Sequence, residues 1–293
     1  MKQDYFTLNK HEILRTIQKY EFLSQEQLKE ILHQLKDKSL VSSSLSFNSF
    51  LLKLIDEGLA QKSITIRGHL KTRYSLRGDF NIYDFCNSLE KNSFFSMSTA
   101  LNLQGLSDFR SDYIFVSKER STRIEQGSIT LNQENIDNAF SKKPRRTNAY
   151  DKIDNHIVVL LEANNTDGFG IVEYDRYRVS SINRAFVEMI TNIHYFQSSQ
   201  NLIQVLENIK NRLDIDKIYT IIEKFDFIYP YFQLAGFYLE KIGFSKAELV
   251  KFHDKKSGLN FYTQKNKNPY EFDEYWKIYY WANNNVLSSL NSL

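Results

Sequence analysis

The sequence predicts a mixed α+β protein: an N-terminal winged helix-turn-helix, followed by an α/β domain with a small sheet and a C-terminal helical bundle. Up to Gly58, apolar side chains recur at helical spacing, and beyond it they alternate with polar ones, as in strands. At 293 residues, the chain is also longer than a single core usually grows. We therefore expect a first domain at residues 1–91 and a second at 92–293.

Two helices are predicted at the start of the chain. The first is expected from Leu8 to Tyr20, with Leu14 and Ile17 facing inward. The second begins after Ser24, because this serine is followed three residues later by a glutamine, which is the pattern of a capping box. The two helices and their short connection are typical of a helix-turn-helix.

A third helix is predicted up to Gly58, which is placed to end it. Serines 42–44 are candidate N-caps. Five residues at helical spacing form its inward stripe: Phe47, Phe50, Leu51, Leu54 and Ile55. Its exposed side then carries Ser46, Asn48, Ser49 and Lys53. These four are candidate DNA contacts, because a recognition helix contacts base edges through its N-terminal residues.

The predicted hairpin is strongly basic. Residues 62–77 include five lysines and arginines and no acidic residue, whereas the whole chain has a net charge of only +3. Lys62, Arg67, Lys71 and Arg73 are therefore candidate phosphate contacts, and double-stranded DNA is the expected partner. The alternative is a small helical domain with an exposed hairpin and no DNA partner.

The rest of the chain alternates between strand and helix patterns. Strands are predicted at residues 112–117 and 275–281, and a hairpin is predicted from strands at 156–161 and 170–174. Helices are predicted at residues 82–91 and 95–103. Four further helices are predicted to begin at residues 183, 199, 216 and 231. Residues 118–152 are polar and are the candidate mobile segment. This segment contains the basic residues 142–146, which are either a solvated loop or a nucleic-acid contact.

Composition and spacing argue against an enzyme, a metal site or a cofactor. Cys86 is the only cysteine, so an intrachain disulfide and a cysteine-based zinc site are both impossible. The histidines lack ligand spacing, and no phosphate-binding or dinucleotide-binding string occurs. The acidic pairs Glu173/Asp175 and Asp214/Asp216 have a spacing that metal sites use, but the second pair also suits the start of a helix.

No signal peptide or membrane span is expected. The first residues lack an apolar run, and no stretch approaches the roughly 18 to 20 apolar residues that cross a bilayer. We therefore expect a soluble cytoplasmic protein with no membrane partner.

The string from Val179 to Glu188 is the most distinctive of the second half. It places Arg184 and Glu188 four residues apart on one helical face, where they can pair. The string resembles a hallmark of the AbiEi family, whose members are the antitoxins of type IV abortive-infection systems. The hallmark reads V-S-S-x-E-R-A and is followed by two hydrophobic residues and an acidic residue. Asn183 stands where the family usually has glutamate.

A second string, from Gln233 to Phe244, looks like the family's helix R-x-G-F-x-L-E-x-x-G. The late segment Trp276 to Ile278 and the N-terminal winged helix also fit the family's layout. The resemblance therefore covers most of the chain.

The resemblance implies a promoter-binding repressor of its own operon, whose C-terminal domain counters a nucleotidyltransferase-like toxin without a tight complex being required. Arg184 and Glu188 are then antitoxin-domain residues, unless they only orient a helix against the sheet. Two further functions remain open: a winged-helix regulator whose C-terminal domain only dimerises or senses a ligand, and a nucleic-acid-processing enzyme. The operator sequence, the toxin and the oligomeric state, including a homodimer on DNA, are also open.

Overall fold

The computed structural model describes residues 4–78, 81–107, 109, 111–123, 130–196, 199–265 and 271–280. The fold is mixed α+β, as predicted. The chain divides into two compact units. Unit 1 comprises Met1–Ser93 and Asn148–Val159, and unit 2 comprises Phe94–Thr147 and Leu160–Leu293.

The described residues form helices and strands in irregular alternation. The helices are α1 (Tyr5–Leu8), α2 (Lys10–Gln18), α3 (Gln25–Asp37), α4 (Phe47–Asp56), α5 (Ile82–Ser88), α6 (Met97–Leu103), α7 (Gln133–Phe140), α8 (Ile182–Thr191), α9 (Ser199–Ile209), α10 (Ile215–Phe225), α11 (Tyr231–Lys241) and α12 (Val250–Asp254). The strands are β1 (Ala60–Ile66), β2 (His69–Ser75), β3 (Phe94–Phe95), β4 (Tyr113–Glu119), β5 (Tyr150–Ile153), β6 (His156–Ala163), β7 (Ile171–Tyr174), β8 (Tyr177–Ser180), β9 (Phe261–Tyr262), β10 (Glu271–Asp273) and β11 (Ile278–Tyr280).

Helices α1 to α4 enclose the core of unit 1. The helix predicted from Leu8 to Tyr20 corresponds to α2, Lys10–Gln18. The short helix α1 precedes it, and the two are separated by Asn9, whose side-chain amide donates to the carbonyls of Tyr5 and Leu40, both at 3.0 Å. The capping box of α3 is confirmed, because Gln27 N–H donates to Ser24 Oγ while Ser24 N–H donates to Gln27 Oε1.

Helix α4 begins later than predicted and has a narrower buried stripe. Its N-cap is Ser46, not one of serines 42–44. Phe50 and Leu54 are fully buried, but Ile55 is 39% exposed, so its predicted inward orientation is wrong. The helix packs on the core mainly through one i, i+4 pair, and Phe47 is only partly buried there.

Strands β1 and β2 form the predicted antiparallel hairpin, from Ala60 opposite Ser75 to Ile66 opposite His69. Its two-residue turn, Arg67-Gly68, has positive φ at both positions, which matches the twist of a tight hairpin. Leu23, just before α3, exchanges two backbone hydrogen bonds of 2.9 Å with Tyr74 on β2. The hairpin is thereby joined to the helix pair by a third extended segment.

Unit 1 also contains a segment from much later in the chain. Strand β5 pairs with the first residues of β6, and the carboxylate of Asp151 accepts the N–H of Thr65 on β1 at 2.8 Å. The predicted first domain, residues 1–91, lacks this segment, which lies far from the hairpin in sequence.

Within unit 2 the strand order is β6-β4-β3-β8-β7. Strand β3 is antiparallel to β4 and parallel to β8. The predicted hairpin of β6 and β7 is wrong, since β7 pairs with β8 at the other edge. After β6, Thr166 and Gly168 donate their N–H groups to the carboxylate of Glu119 at the end of β4, so the chain turns across the sheet rather than back along β6.

Helix α8 is the centre of the helical layer, packing against α6, α10 and α11. The helices predicted from 183, 199, 216 and 231 are confirmed as α8 to α11.

The polar segment 118–152 contains α7, whose Ile136 and Phe140 are buried. The last predicted strand is shorter, because residues 274–277 form a turn before β11, and Trp281 lies outside the described residues. None of the helices that the structure describes has the length and the apolar composition needed to span a bilayer.

Candidate functional site

The predicted DNA contacts on α4 differ in their availability. Ser46 accepts the N–H of Ser49 at 3.2 Å and donates to its hydroxyl at 2.9 Å, so both serines serve the helix start. Lys53 pairs with Asp4 at 2.5 Å, and this bond holds the pKa of Asp4 down at about 2. Asn48 is exposed and makes no side-chain hydrogen bond to any residue that the structure describes.

Asn48 shares its helical face with two exposed apolar residues. Leu52 is 62% exposed and Ile55 is 39% exposed, and they follow Asn48 by four and seven positions. Leu45, by contrast, is partly buried against the core of unit 1. The exposed face of α4 therefore combines one free amide with two apolar side chains.

Two lysines of the hairpin form ion pairs inside unit 1. Lys62 pairs with Asp154, just after β5, and Lys71 pairs with Glu90, just after α5. All four side chains keep some exposure to solvent. The positive charge of the hairpin strands is thus partly neutralised by acids that the sequence pattern did not place beside them.

The hairpin arginines are used differently. Arg73 donates to the carbonyl of Ser88 from Nε at 3.1 Å and from Nη2 at 2.8 Å, at the C-terminal end of α5, where a cation is favoured. Arg77 pairs with Glu21 at 2.8 Å. Arg67 lies exposed in the turn and makes no ion pair or hydrogen bond with any described residue. It is the cation of the hairpin most available to an external phosphate.

In unit 2, the motif residue Arg184 is fully buried at the start of α8. Its Nε donates to Glu188 at 2.8 Å, which is the i, i+4 pair that the sequence predicted. Its Nη1 donates to Glu119 at 3.0 Å and to the carbonyl of Phe169 at 2.6 Å. One arginine thus joins α8 to the end of β4 and to the loop before β7.

The guanidinium of Arg184 also lies close to two aromatic rings. Its central carbon is 4.7 Å from the ring centroid of Phe94 and 5.1 Å from that of Phe225, distances at which a cation is attracted to a ring. Its Nη2 has no hydrogen-bond partner among the described residues. The arginine therefore has both polar and apolar contacts, and no other side chain could make all of them.

Glu188 connects the motif to α6. Its Oε2 accepts the hydroxyl of Ser180 at 2.7 Å and the backbone N–H of Met97 at 3.1 Å. Met97 has a φ of +50°, a conformation that non-glycine residues rarely adopt. The hydrogen bond to Glu188 helps to hold this residue where β3 turns into α6. No pattern in the sequence pointed to Met97.

Glu119 completes the network, and sequence reasoning missed it. Burial acts to raise the pKa of Glu119, but hydrogen bonds from Thr166 and Gly168 and the charge of Arg184 hold that pKa below its ordinary value. Gly170, in the same loop, has a φ of +76°, and a Cβ there would lie 3.1 Å from Cβ of Arg184. The loop is therefore shaped closely around the arginine.

A cavity of about 260 Å³ lies beside this network. Its lining includes Ser96, Glu188, Asn192, Phe225 and Phe227, and contains no histidine, cysteine or lysine. Glu188 is already engaged by Arg184, Ser180 and Met97. The arrangement positions secondary-structure elements and offers a small, mainly apolar cleft, whose described lining contains no paired nucleophile and base.

The residues considered for metal binding have other roles. Asp214 caps α10 by accepting the N–H groups of Asp216 and Lys217 at 3.0 and 3.1 Å. Glu173 lies near Arg178 at 3.6 Å. In the described part of the chain, no group of three or more histidine, cysteine or acidic residues could hold an ion.

Burial raises the pKa of Cys86 to about 12, so its thiol is a poor nucleophile.

Residues of the second family-like string, Gln233 to Phe244, contact Trp276. Gly236 on α11 packs against the fully buried Trp276, whose indole N–H donates to Glu240. Gln233 donates to the carbonyls of Leu259 and Lys277 at 3.1 and 3.0 Å. These residues attach α11 to the sheet that contains β9 and β11.

No family model and no curated protein matches the chain. Among solved structures, it is similar to the RV2827C protein from Mycobacterium tuberculosis, with 10% sequence identity and a TM-score of 0.57. The match covers 94% of this chain and 91% of that one. At this identity the likeness identifies a shared fold, which agrees with the mixed α+β class.

Proposed function

We propose that this protein is a DNA-binding antitoxin of the AbiEi type. It represses its own operon through an N-terminal winged helix in unit 1, and it counters a nucleotidyltransferase-like toxin through unit 2. The observation that carries the DNA-binding half is the pair of hydrogen bonds between Leu23 and Tyr74. The antitoxin half rests on the motif residues and on their position in the structure.

The Leu23–Tyr74 pairing supports a winged helix because it fixes the hairpin to the helix-turn-helix. The extended residue before α3 is hydrogen-bonded to the returning strand β2, and the hairpin turn projects beyond this junction with Arg67 exposed at its tip. A recognition helix with an adjoining wing has two contact points on a duplex, one for bases and one for the backbone.

The exposed face of α4 supports base recognition in the major groove. An asparagine amide forms a paired contact with adenine, and apolar side chains contact the methyl group of thymine. Asn48, Leu52 and Ile55 lie on one face and supply these two chemistries. We therefore expect A·T base pairs beneath α4, with Arg67 on an adjacent phosphate.

Support for the antitoxin half comes from the role of the motif within unit 2. Arg184 and Glu188 match the family string and are the hub that joins α6, α8, β4 and the loop before β7. The motif therefore maintains the surface of unit 2, and it need not touch the toxin itself. The 260 Å³ cavity favours the alternative, a winged-helix regulator whose second unit senses a ligand.

Co-expression of the full chain with a nucleotidyltransferase-like toxin encoded beside it, together with a promoter reporter, tests both halves. We expect the double variant Asn48→Ala/Arg67→Ala to lose repression and retain protection, because its changes are confined to the exposed surface of unit 1. Lys255→Ala, an exposed charge removal in unit 2, is the matched control and should retain both. Retained repression in the double variant, or no protection by the native chain, would contradict the proposal.

A further inference from the structure

A second cavity in unit 2, of about 200 Å³, differs from the first in its chemistry. Two cations, Arg145 and Lys265, line it. Five phenylalanine and tyrosine rings also line it, and we call it the aromatic cavity: Phe140, Tyr229, Tyr231, Phe261 and Tyr262. Its described lining does not include Arg184, Glu188 or Glu119, and it includes Arg145 of the basic segment 142–146, whose role the sequence left open.

The rings around the aromatic cavity are packed against one another. Tyr229 is stacked on Phe261 with centroids 5.8 Å apart, and Phe140 meets Tyr229 edge to face at 5.6 Å. Tyr229 remains partly exposed at the cavity, so a guest can reach its ring. A planar, unsaturated guest is the kind that such walls favour, because aromatic pairs gain energy beyond their buried area.

A buried hydroxyl inside the cavity is available to a ligand. Thr263 is 2% exposed, lines the cavity, and its hydroxyl makes no hydrogen bond to any residue that the structure describes. An unsatisfied buried hydroxyl is unfavourable, so a ligand edge with a donor or an acceptor would be stabilised there. A purely apolar guest would leave the Thr263 hydroxyl without a hydrogen bond.

Positive charge is concentrated at the same cavity. Burial, followed by the nearby charges of Arg145 and Lys142, lowers the pKa of Lys265. Burial, Arg146 and Lys265 likewise lower the pKa of His194 to about 4. The described lining includes no acidic residue, and the nearby carboxylate of Asp137 accepts the Tyr262 hydroxyl at 2.9 Å. The cations therefore outnumber the acids, and an anion is favoured.

We propose that the aromatic cavity binds a nucleoside phosphate. The base enters among the rings, with its edge on the Thr263 hydroxyl, and the phosphate lies outside on Lys142, Arg145 and Lys265. The cavity volume fits this division, since complete small-molecule sites usually exceed about 300 Å³, whereas this one leaves the phosphate on the rim. The ligand is either a free nucleotide or the terminal nucleotide of a single strand, which share this chemistry.

Isothermal titration of the full chain with the four nucleoside monophosphates, with adenosine and with inorganic phosphate tests the proposal. We expect at least one nucleotide to bind about tenfold or more tightly than either fragment, because base stacking and phosphate contact add together. Tyr229→Leu should weaken binding about tenfold, while Tyr229→Phe retains the ring and the affinity. Arg145→Ala should also weaken binding, and Lys143→Ala, an exposed neighbour that does not line the cavity, is the matched control.

Competition with a 5′-phosphorylated single strand and with duplex DNA identifies the source of the ligand. Displacement of the nucleotide by the single strand assigns the site to a strand end, and no displacement assigns it to a free nucleotide. Absence of nucleotide binding, equal affinity for inorganic phosphate, or full affinity in Tyr229→Leu and Arg145→Ala would each overturn the proposal. None of these results depends on duplex binding by unit 1, so the two proposals can fail separately.

Discussion

Replacing Arg184 by alanine is expected to lower the free energy of unfolding of unit 2 by about 3–5 kcal/mol, because removal of one member of a buried ion pair leaves the other charge uncompensated. Glu188 and Glu119 would both lose the cation that they share. The rings of Phe94 and Phe225 would each lose a contact with the guanidinium. Urea unfolding monitored by circular dichroism measures the change.

Arg120→Ala is the matched control for this prediction. Arg120 and Glu162 form an ion pair of 3.1 Å in the same unit, with side chains 41% and 48% exposed. Exposed pairs contribute only about 0–1 kcal/mol, so this variant should unfold nearly as the native chain does. Equal losses in the two variants would show that Arg184 is not the hub of unit 2.

Replacing Gly236 by alanine is expected to destabilise unit 2, although the same change in an exposed helix interior usually stabilises by up to about 1 kcal/mol. A Cβ at this position would lie 2.2 Å from two ring carbons of Trp276. Trp276 is fully buried, so it can move only by displacing its neighbours. Overpacking of this kind typically costs about 1–3 kcal/mol.

The change at Gly236 is checked by thermal unfolding together with tryptophan fluorescence. Gly258→Ala is the control, because a Cβ there meets no atom within 4 Å. We expect Gly236→Ala to lower the melting temperature and to alter the emission of Trp276, and Gly258→Ala to do neither. A melting temperature that rises in Gly236→Ala would mean that α11 and Trp276 are not packed as described.

Local patterns predicted the elements whose causes are local. The capping box of Ser24 and Gln27, the hairpin and the pairing of Arg184 with Glu188 each depend on residues close in sequence, and each is confirmed. The prediction that Ile55 faces inward was wrong, because helical spacing gives the direction of a side chain but not the width of the core that the helix covers.

Contacts between distant residues could not be predicted from spacing. Asp154 comes long after the hairpin, so counting hairpin cations could not show that Lys62 has a partner. Glu119 could not be found for the same reason, since it accepts the N–H of Thr166 far along the chain, in the connection that leads from β6 to β7 at the other edge of the sheet. Likewise, nothing in the sequence placed the basic segment at an aromatic cavity.

The central claim is that unit 1 binds duplex DNA through α4 and the hairpin turn, and the salt dependence of binding by the full chain tests it most directly. Fluorescence anisotropy with promoter DNA gives the slope of log affinity against log salt concentration. We predict that Arg67→Ala reduces this slope by about 0.9, the value for one phosphate contact. Asn48→Ala should keep the slope and lose the preference for promoter over unrelated sequence, because it removes a base contact. No measurable binding by the native chain, or a slope and a preference that neither variant changes, would contradict the account.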